Sequence, residues 1–337
     1  MPAASIKPQA RLHALDLIRG LSMLYIVGFW HLFNYTKAYP GYFNPVTTRL
    51  TVVVLGLFTL VSGYLMGKKD MNLTGSSLQS YYRSRFLRIY PPFLAALSIF
   101  FAMGAFKTGT LIKSALLLAM FWGPTPPTLW FITMIVCFYA IAPWMIHERG
   151  QSAWRYLVLG LIIQLILLAN VTLGSQPDVR IWMYFPCFAA GLYMGKHPVS
   201  RAGIGTTLAV LTFVGSIFLS VFARDTVEQS LWSMPMALFG AVTVFLLLTG
   251  PWLRITRLPA VVTYLSTASY FMYLTHRPVL VVLHRIYQPT SGPAQVAYLM
   301  LVGIPFIVWA AWHLQNQYDR HIDLVARFFL LTPSKKI

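Results

Sequence analysis

The stretch HALDLIRGLSMLYIVGFWHLFNY, residues 13–35, decides the fold class. It is long enough to cross the hydrocarbon core of a bilayer as a helix, which takes about 20 predominantly apolar residues. Apolar runs of similar length recur along the whole chain. Because a chain in lipid must satisfy its backbone hydrogen bonds internally, these runs predict an all-α, polytopic membrane helix bundle.

The composition favours the same interpretation. Of the 337 residues, 57% are hydrophobic and 10% are charged, whereas a soluble domain carries about 25% charged residues. The alternating short strands of an outer-membrane barrel do not occur. We therefore predict a single membrane domain over residues 1–337 with about ten spans. Their approximate bounds are 13–35, 48–67, 87–106, 128–146, 154–173, 181–195, 203–222, 231–250, 260–283 and 295–315.

The basic residues predict the topology. The formal net charge is +18, but in a membrane protein Lys and Arg collect in cytoplasmic loops and do not by themselves indicate nucleic-acid binding. With a cytoplasmic N-terminus, one side carries about eighteen basic residues and the other about eight. We expect a multi-pass protein of the plasma (inner) membrane, with both termini cytoplasmic and no nucleic-acid partner. The oligomeric state stays open.

Three polar residues of the first span stand out, because charged groups at membrane depth are costly and often functional. Asp16 and Arg19 are three positions apart and can form an ion pair. They are either interfacial anchors or part of a site. His31 lies about 18 Å further along the helix axis, and it is either a structural hydrogen-bond donor or a catalytic group.

The third predicted span opens with a second pair of charges. Arg85 and Arg88 are three positions apart, so a helix presents both guanidinium groups on one face. Pro91 and Pro92 follow at once and interrupt the backbone hydrogen bonding. The usual excess of Lys and Arg on the cytoplasmic side is enough to explain several of the basic residues here. The alternative is a phosphate site, since guanidinium groups bind phosphate through paired hydrogen bonds.

Five ordered blocks resemble the pattern of the acyltransferase-3 family, integral membrane enzymes that move acyl groups onto extracytoplasmic sugars. Each block is weak alone, but together they run through most of the chain. The blocks are Asp16-x-x-Arg19-Gly20 with His31, Val61-Ser62-Gly63-Tyr64-Leu65, Arg85-x-x-Arg88-x-x-Pro91-Pro92, Trp130 with Phe138-Tyr139 and Pro143, and Ser269-Tyr270-x-x-Tyr273-Leu274-x-His276-x-Pro278.

The resemblance implies an O-acyltransferase with acyl-CoA, expected to be acetyl-CoA, as donor substrate, and no permanently bound cofactor or metal. The acceptor would be a hydroxyl of an extracytoplasmic or lipid-linked saccharide. Arg85 and Arg88 are the candidates for binding the CoA phosphates. His31 is the candidate general base, accompanied by the catalytic candidates Asp16 and Arg19. Residues expected in the substrate cavity are Ser62, Trp130, Tyr139, Tyr270 and His276.

Two departures from the family pattern matter. Eleven residues separate Arg19 from His31, where the family usually has ten, and twelve helical steps turn His31 about 120° away from Arg19. We predict a π-bulge between Gly20 and Gly28, which would return both side chains to one face. Regular helical bonding there, with His31 facing lipid, would contradict it. The second departure is Ile135, where many members carry a Glu.

Other functions remain open. A transporter or flippase for a saccharide intermediate or small polar solute would also bury ionisable residues, but it would be expected to show two related halves with broken helices. The chain shows no such internal symmetry. A purely structural membrane subunit would not need Arg-x-x-Arg beside Pro-Pro. Trp130 and Tyr139 are alternatively residues of an interfacial aromatic belt, and a structural role is expected for Arg277.

Overall fold

The computed structural model describes residues 13–36, 38–69, 71, 73–146, 158, 160–162, 164–165, 178–197, 204–221, 226–250 and 259–329. Every regular element in these ranges is helical, which confirms the all-α membrane bundle. Among the described helical segments, five are long and apolar enough to cross a membrane: His13–Tyr35, Pro45–Gly67, Gly75–Ala102, Trp232–Thr249 and Gly292–Phe328.

The helices follow the predicted segments in order. The fifth predicted segment, 154–173, lies largely outside the described residues, although positions 158, 160–162 and 164–165 are helical. The α-helices are α1 His13–Tyr25, α2 Pro45–Gly67, α3 Gly75–Ala102, α4 Thr108–Ala115, α5 Trp130–Ile146, α6 Arg180–Lys196, α7 Ile204–Leu219, α8 Thr226–Thr249, α9 Ala260–Ile286, α10 Gly292–Tyr298 and α11 Ile304–Phe328.

The first helix contains the predicted π turn. After α1 the helix continues as a π-helix over Ile26–His31 and as a 3₁₀ turn over Leu32–Tyr35. The π turn begins inside the predicted interval and extends beyond it to His31, whose side chain is buried. The prediction of an inserted residue is therefore confirmed.

Two helices are longer than hydropathy indicates. We predicted a span beginning at residue 87, but α3 begins at Gly75, where the Thr74 side chain accepts a hydrogen bond from the Ser77 N–H (3.4 Å). The second is α11, which runs on to Phe328 beyond the predicted end at 315. Hydropathy detects only the apolar part of a helix. The polar turns at the start of α3 and at the end of α11 were therefore not predicted.

The extra turns of α3 change the setting of its two arginines. Arg85 and Arg88 lie well inside the helix and not in its opening turn. Pro91 and Pro92 also lie within α3, which continues to Ala102. The predicted span 87–106 also runs through both prolines, and the helix does continue past them despite their missing N–H groups.

The helices form two packed groups. In one group α2 packs against α6 and α8, and α8 packs against α7. In the other group α9 packs against α1 and α11. The neighbouring helices α3 and α5 join them, since α3 contacts α9 and α11 while α5 contacts α2 and α6. The candidate site lies between the two groups.

Glycines allow α2 and α6 to approach closely. A Cβ added at Gly63 would collide with the Phe188 carbonyl oxygen, and one added at Gly191 would collide with the Leu60 carbonyl oxygen. Such contacts between small residues are typical of helix pairs in membranes, where packing replaces the hydrophobic effect. Gly67 on α2 and Gly195 on α6 are in the same situation.

We expect Gly191→Ala to destabilise the bundle by about 1–3 kcal/mol, the usual penalty of overpacking. The obstacle is backbone, so the helices themselves must separate. The matched control is Gly215→Ala in α7, where an added Cβ meets nothing within 4 Å and should be neutral or slightly stabilising. Apparent melting temperatures of the detergent-solubilised variants test this. Equal melting temperatures would contradict the close approach.

Candidate active site

Two cavities open at opposite ends of the first two helices. The first cavity, of about 780 Å³, is bordered by residues 16–26 of the first helix and 54–66 of α2. The second, of about 560 Å³, is bordered by residues 26–31 and 43–55. Going along the chain, the first helix passes the first cavity and then the second, whereas α2 passes them in the reverse order. The cavities therefore lie one beyond the other along the helix axes. Ile26, Leu55 and Tyr273 line both cavities and form their shared boundary.

Five basic side chains line the first cavity. Arg19 comes from α1, and we call the other four the cationic cluster: Lys68, Lys69, Arg85 and Arg88. Lys68 and Lys69 follow the end of α2, and the two arginines come from α3. Partial burial and the positive charges of Arg85 and Arg88 lower the pKa of Lys69. The like charges are therefore close enough to interact, and a bound anion would relieve their repulsion.

Aromatic rings position Arg85. Its guanidinium carbon lies 5.9 Å from the ring centroid of Tyr81 and 5.4 Å from that of Tyr139, distances at which a cation is attracted to a ring face. The Nε of Arg85 is buried and has no hydrogen-bond partner among the described residues. A buried N–H without a partner is costly, so an oxygen of a bound molecule would be stabilised there.

Asp16 and Arg19 also line the first cavity, and both contact α9. The Asp16 Oδ1 accepts a hydrogen bond from the Ser266 hydroxyl (2.8 Å), and an Arg19 Nη2–H donates to the Ser269 hydroxyl oxygen (3.1 Å). Ser269 in turn donates to the Ser266 carbonyl (2.8 Å). These contacts connect the start of α1 to α9, so both charged residues belong to the cavity wall.

Three other sequence-predicted residues line the first cavity. The Ser62 hydroxyl donates to the Phe58 carbonyl (2.9 Å), and the Tyr270 hydroxyl donates to the Ile89 carbonyl (2.6 Å). Tyr139 contributes the ring beside Arg85. Ile135, the second departure noted in the sequence, also lies in this wall. The first cavity is therefore apolar at that position.

His31 lines the second cavity and contacts His276 of α9. The Nδ1 of His31 lies 2.8 Å from the Nε2 of His276, and the ring planes are 13° apart with centroids separated by 4.8 Å. His31 is 9% exposed and His276 is fully buried. His276, predicted as a cavity residue, therefore lies behind His31 and away from the walls of both cavities.

The contacts with α9 show that Arg19 and His31 share a face of the first helix. Arg19 bonds Ser269, and His31 bonds His276. These two partners are seven positions apart on α9, which is close to two full turns, so they lie on one face of that helix. The π turn thus directs both side chains toward α9, which the regular spacing would not have done.

The second cavity also contains a fixed arginine. The guanidinium carbon of Arg180 lies 3.8 Å from the ring centroid of Trp130, and Asp178 binds the same guanidinium through both carboxylate oxygens. Thr125 accepts a further bond from Arg180 (3.1 Å). Although burial opposes ionisation, these bonds hold the pKa of Asp178 below its usual value. Asp178 is therefore ionised at neutral pH and orients Arg180.

Several residues of the two cavities were not among the predicted site residues. Lys68 and Lys69 are two of the roughly eighteen basic residues assigned to the cytoplasmic side by the charge count, and Arg85 and Arg88 belong to the same set. The Asp178-x-Arg180 pair could have been recognised, because two opposite charges next to a helix start indicate a local ion pair. Tyr273 belonged to a recognised block without an assigned role. Ser266 gave no signal, because its partner Asp16 is 250 positions away.

The chain is similar to a known family over most of its length. A family model described as an acyltransferase domain (Acyl_transf_3) matches residues 12–314. No curated protein and no solved structure matches the chain.

Proposed function

The chain belongs to the acyltransferase-3 family, and from that premise we propose that it moves an acyl group, expected to be acetyl, from acyl-CoA to a saccharide hydroxyl. The donor would occupy the first cavity from the cytoplasm, and an extracytoplasmic or lipid-linked acceptor would occupy the second. The observation that carries this proposal is the pair of end-to-end cavities. One holds the cationic cluster and the other holds a buried histidine.

The donor site follows from the chemistry of CoA, which carries several phosphates on one end and a thioester on the other. The cationic cluster offers two guanidinium forks and two ammonium groups to those phosphates. Arg19, which lines the same cavity, would assist, with Asp16 balancing its charge. The volume of about 780 Å³ is within the usual range for ligand sites, roughly 300–1,000 Å³.

The chemical step needs a base close to the acceptor hydroxyl, because an alcohol is a weak nucleophile at neutral pH. We assign this role to His31, which lines the second cavity. As the hydroxyl oxygen attacks the thioester carbonyl carbon, His31 takes the hydroxyl proton. The new C–O bond forms, the C–S bond breaks, and the departing sulfur receives that proton. The products are an ester and free CoA.

The shared boundary of the cavities is where donor and acceptor would meet. We expect Leu55→Trp to lower acyl transfer at least about 10-fold, because the indole can extend into the space at this boundary and hold the reacting atoms apart. The affinity for acyl-CoA should change little, because Leu55 lies several turns of α2 away from the cationic cluster. Label transfer from [¹⁴C]acetyl-CoA in membranes and equilibrium binding of CoA separate the two effects.

The matched control for this variant is Leu50→Trp, also in α2, at a position that is 46% exposed and lines neither cavity. Its label transfer should equal that of the wild type. If Leu55→Trp transferred label as fast as the control, the reaction would not pass through this boundary. A transporter or flippase would be indicated instead if membranes moved the saccharide without any acyl-CoA-dependent labelling.

A further inference from the structure

We propose that His276 is a positioning residue that fixes the tautomer of His31, with the proton on Nδ1 and the lone pair on Nε2. The catalytic meaning of this assignment rests on the proposed function. The tautomer itself rests only on the contacts of the two rings. His276 matched the late family block, but the sequence placed it in the substrate cavity and gave it no role in the reaction.

The buried end of the pair is the Nδ1 atom of His276. The Nδ1 of His276 lies 3.1 Å from the backbone carbonyl oxygen of Met272. A carbonyl oxygen can only accept a hydrogen bond, so Nδ1 of His276 must carry the proton that makes this contact. Met272 is one turn earlier on α9, and its carbonyl is held in place by the helix itself. The backbone therefore fixes the protonation pattern of His276.

This pattern passes from His276 to His31. A neutral imidazole has one donor and one acceptor nitrogen, so Nε2 of His276 is an acceptor once Nδ1 is the donor. The atom 2.8 Å from it is Nδ1 of His31, which must then donate. The N–H bond lies in the ring plane, and ring planes only 13° apart suit such an in-plane bond. His31 is therefore protonated on Nδ1.

Both rings are expected to be neutral. A second proton on either one would place a positive charge in a buried position. His276 is fully buried and His31 is only 9% exposed. The neutral form leaves a lone pair on Nε2 of His31, and His31 lines the second cavity. The base thus presents its basic nitrogen on the side where the acceptor would bind.

The arrangement follows the logic of catalytic triads, in which a third group orients the base. Here the orienting group is an imidazole held by a helix carbonyl. When Nε2 of His31 takes the proton of the acceptor hydroxyl, Nδ1 still donates to His276. That hydrogen bond then becomes charge-assisted and strengthens as the imidazolium forms. Loss of His276 should therefore slow the chemical step and leave donor binding unchanged.

Two variants separate the hydrogen bond from the packing. His276→Phe keeps a ring of similar size but removes the acceptor atom. His276→Gln can place a side-chain oxygen near the former Nε2 position and accept from Nδ1 of His31. CoA binding at the cationic cluster serves as the folding control for both. We expect kcat to fall by about 10- to 100-fold in His276→Phe, less than the loss of a whole general base, with the KM for acetyl-CoA unchanged. His276→Gln should recover most of the rate.

The tautomer can be measured without any substrate. In the full chain, labelled with ¹⁵N-histidine and held in lipid nanodiscs, nitrogen chemical shifts distinguish protonated from unprotonated ring nitrogens. The chain has eight histidines, so the signals that vanish in His31→Gln assign His31. We expect a protonated Nδ1 and an unprotonated Nε2 in the wild type and in His276→Gln, and a mixture in His276→Phe.

A protonated Nε2 with an unprotonated Nδ1 in wild-type His31 would overturn the inference. An unchanged kcat in His276→Phe would also overturn it, even with the expected shifts, because His276 would then not position the base. Failure of the proposed function gives a different result. In that case acetyl-CoA-dependent labelling would be missing in the wild type as well, while the nitrogen shifts would still decide the tautomer.

Discussion

Replacing His31 by glutamine should lower the rate of acyl transfer by about 10²- to 10⁴-fold, the contribution of a general base. Glutamine keeps a polar side chain of similar size but cannot take a proton from the acceptor hydroxyl. The cationic cluster lies in the other cavity, so affinity for acyl-CoA should stay at the wild-type value. Label transfer from [¹⁴C]acetyl-CoA to the membrane saccharide fraction, measured beside CoA binding, tests both statements.

The control for this variant is His313→Gln. His313 is an exposed residue of α11 that lines neither cavity, so its variant should label as fast as the wild type. Undiminished labelling in His31→Gln would reject His31 as the base. A parallel loss of labelling and of CoA binding would point to misfolding, and the melting temperature would show it.

The double variant Arg85→Ala with Arg88→Ala should raise the KM for acyl-CoA by roughly 10²-fold or more. Each charge-assisted hydrogen bond is worth about 1.5–3 kcal/mol, and every 1.4 kcal/mol is about tenfold in affinity. The rate at saturating donor should change much less, because neither arginine lines the cavity that contains His31. Steady-state kinetics with varied acetyl-CoA separate these two effects.

A matched control distinguishes a specific phosphate site from general positive charge. Arg320 is an exposed residue of α11 that does not line the first cavity, and Arg320→Ala should leave the KM unchanged. The wild type should also bind CoA more tightly than CoA lacking its 3′-phosphate, with a smaller difference in the double variant. Equal KM values for the double variant and the control would show that the donor does not bind in the first cavity.

The sequence predicts the fold class well because the relevant signal is local. Apolar runs such as residues 13–35 are costly to expose to water, and their length matches the bilayer. The π turn before His31 could be predicted for a related reason. The angle between two side chains around the axis of one helix follows from their spacing in the sequence. The start of α3 at Gly75 was missed, because polar helical turns outside the apolar core leave no hydropathy signal.

The site was only partly predictable, because its contacts join residues far apart in the chain. The ring nitrogens of His31 and His276 meet across 245 positions, and Asp16 meets Ser266 across 250. Nothing in one sequence specifies which side chains of the first helix, residues 13–35, face which side chains of α9. The block pattern identified the individual residues, and the packing of the helices assigns them to two separate cavities.

In the proposed reaction the donor and the acceptor enter from opposite faces of the membrane. Sealed vesicles of both orientations, given external [¹⁴C]acetyl-CoA, which does not cross membranes, test it most directly. We predict labelling of saccharide only in inverted vesicles, with the new ester protected from an added acetylesterase until detergent opens them. Labelling in intact right-side-out vesicles, or an ester exposed on the donor side, would contradict the account.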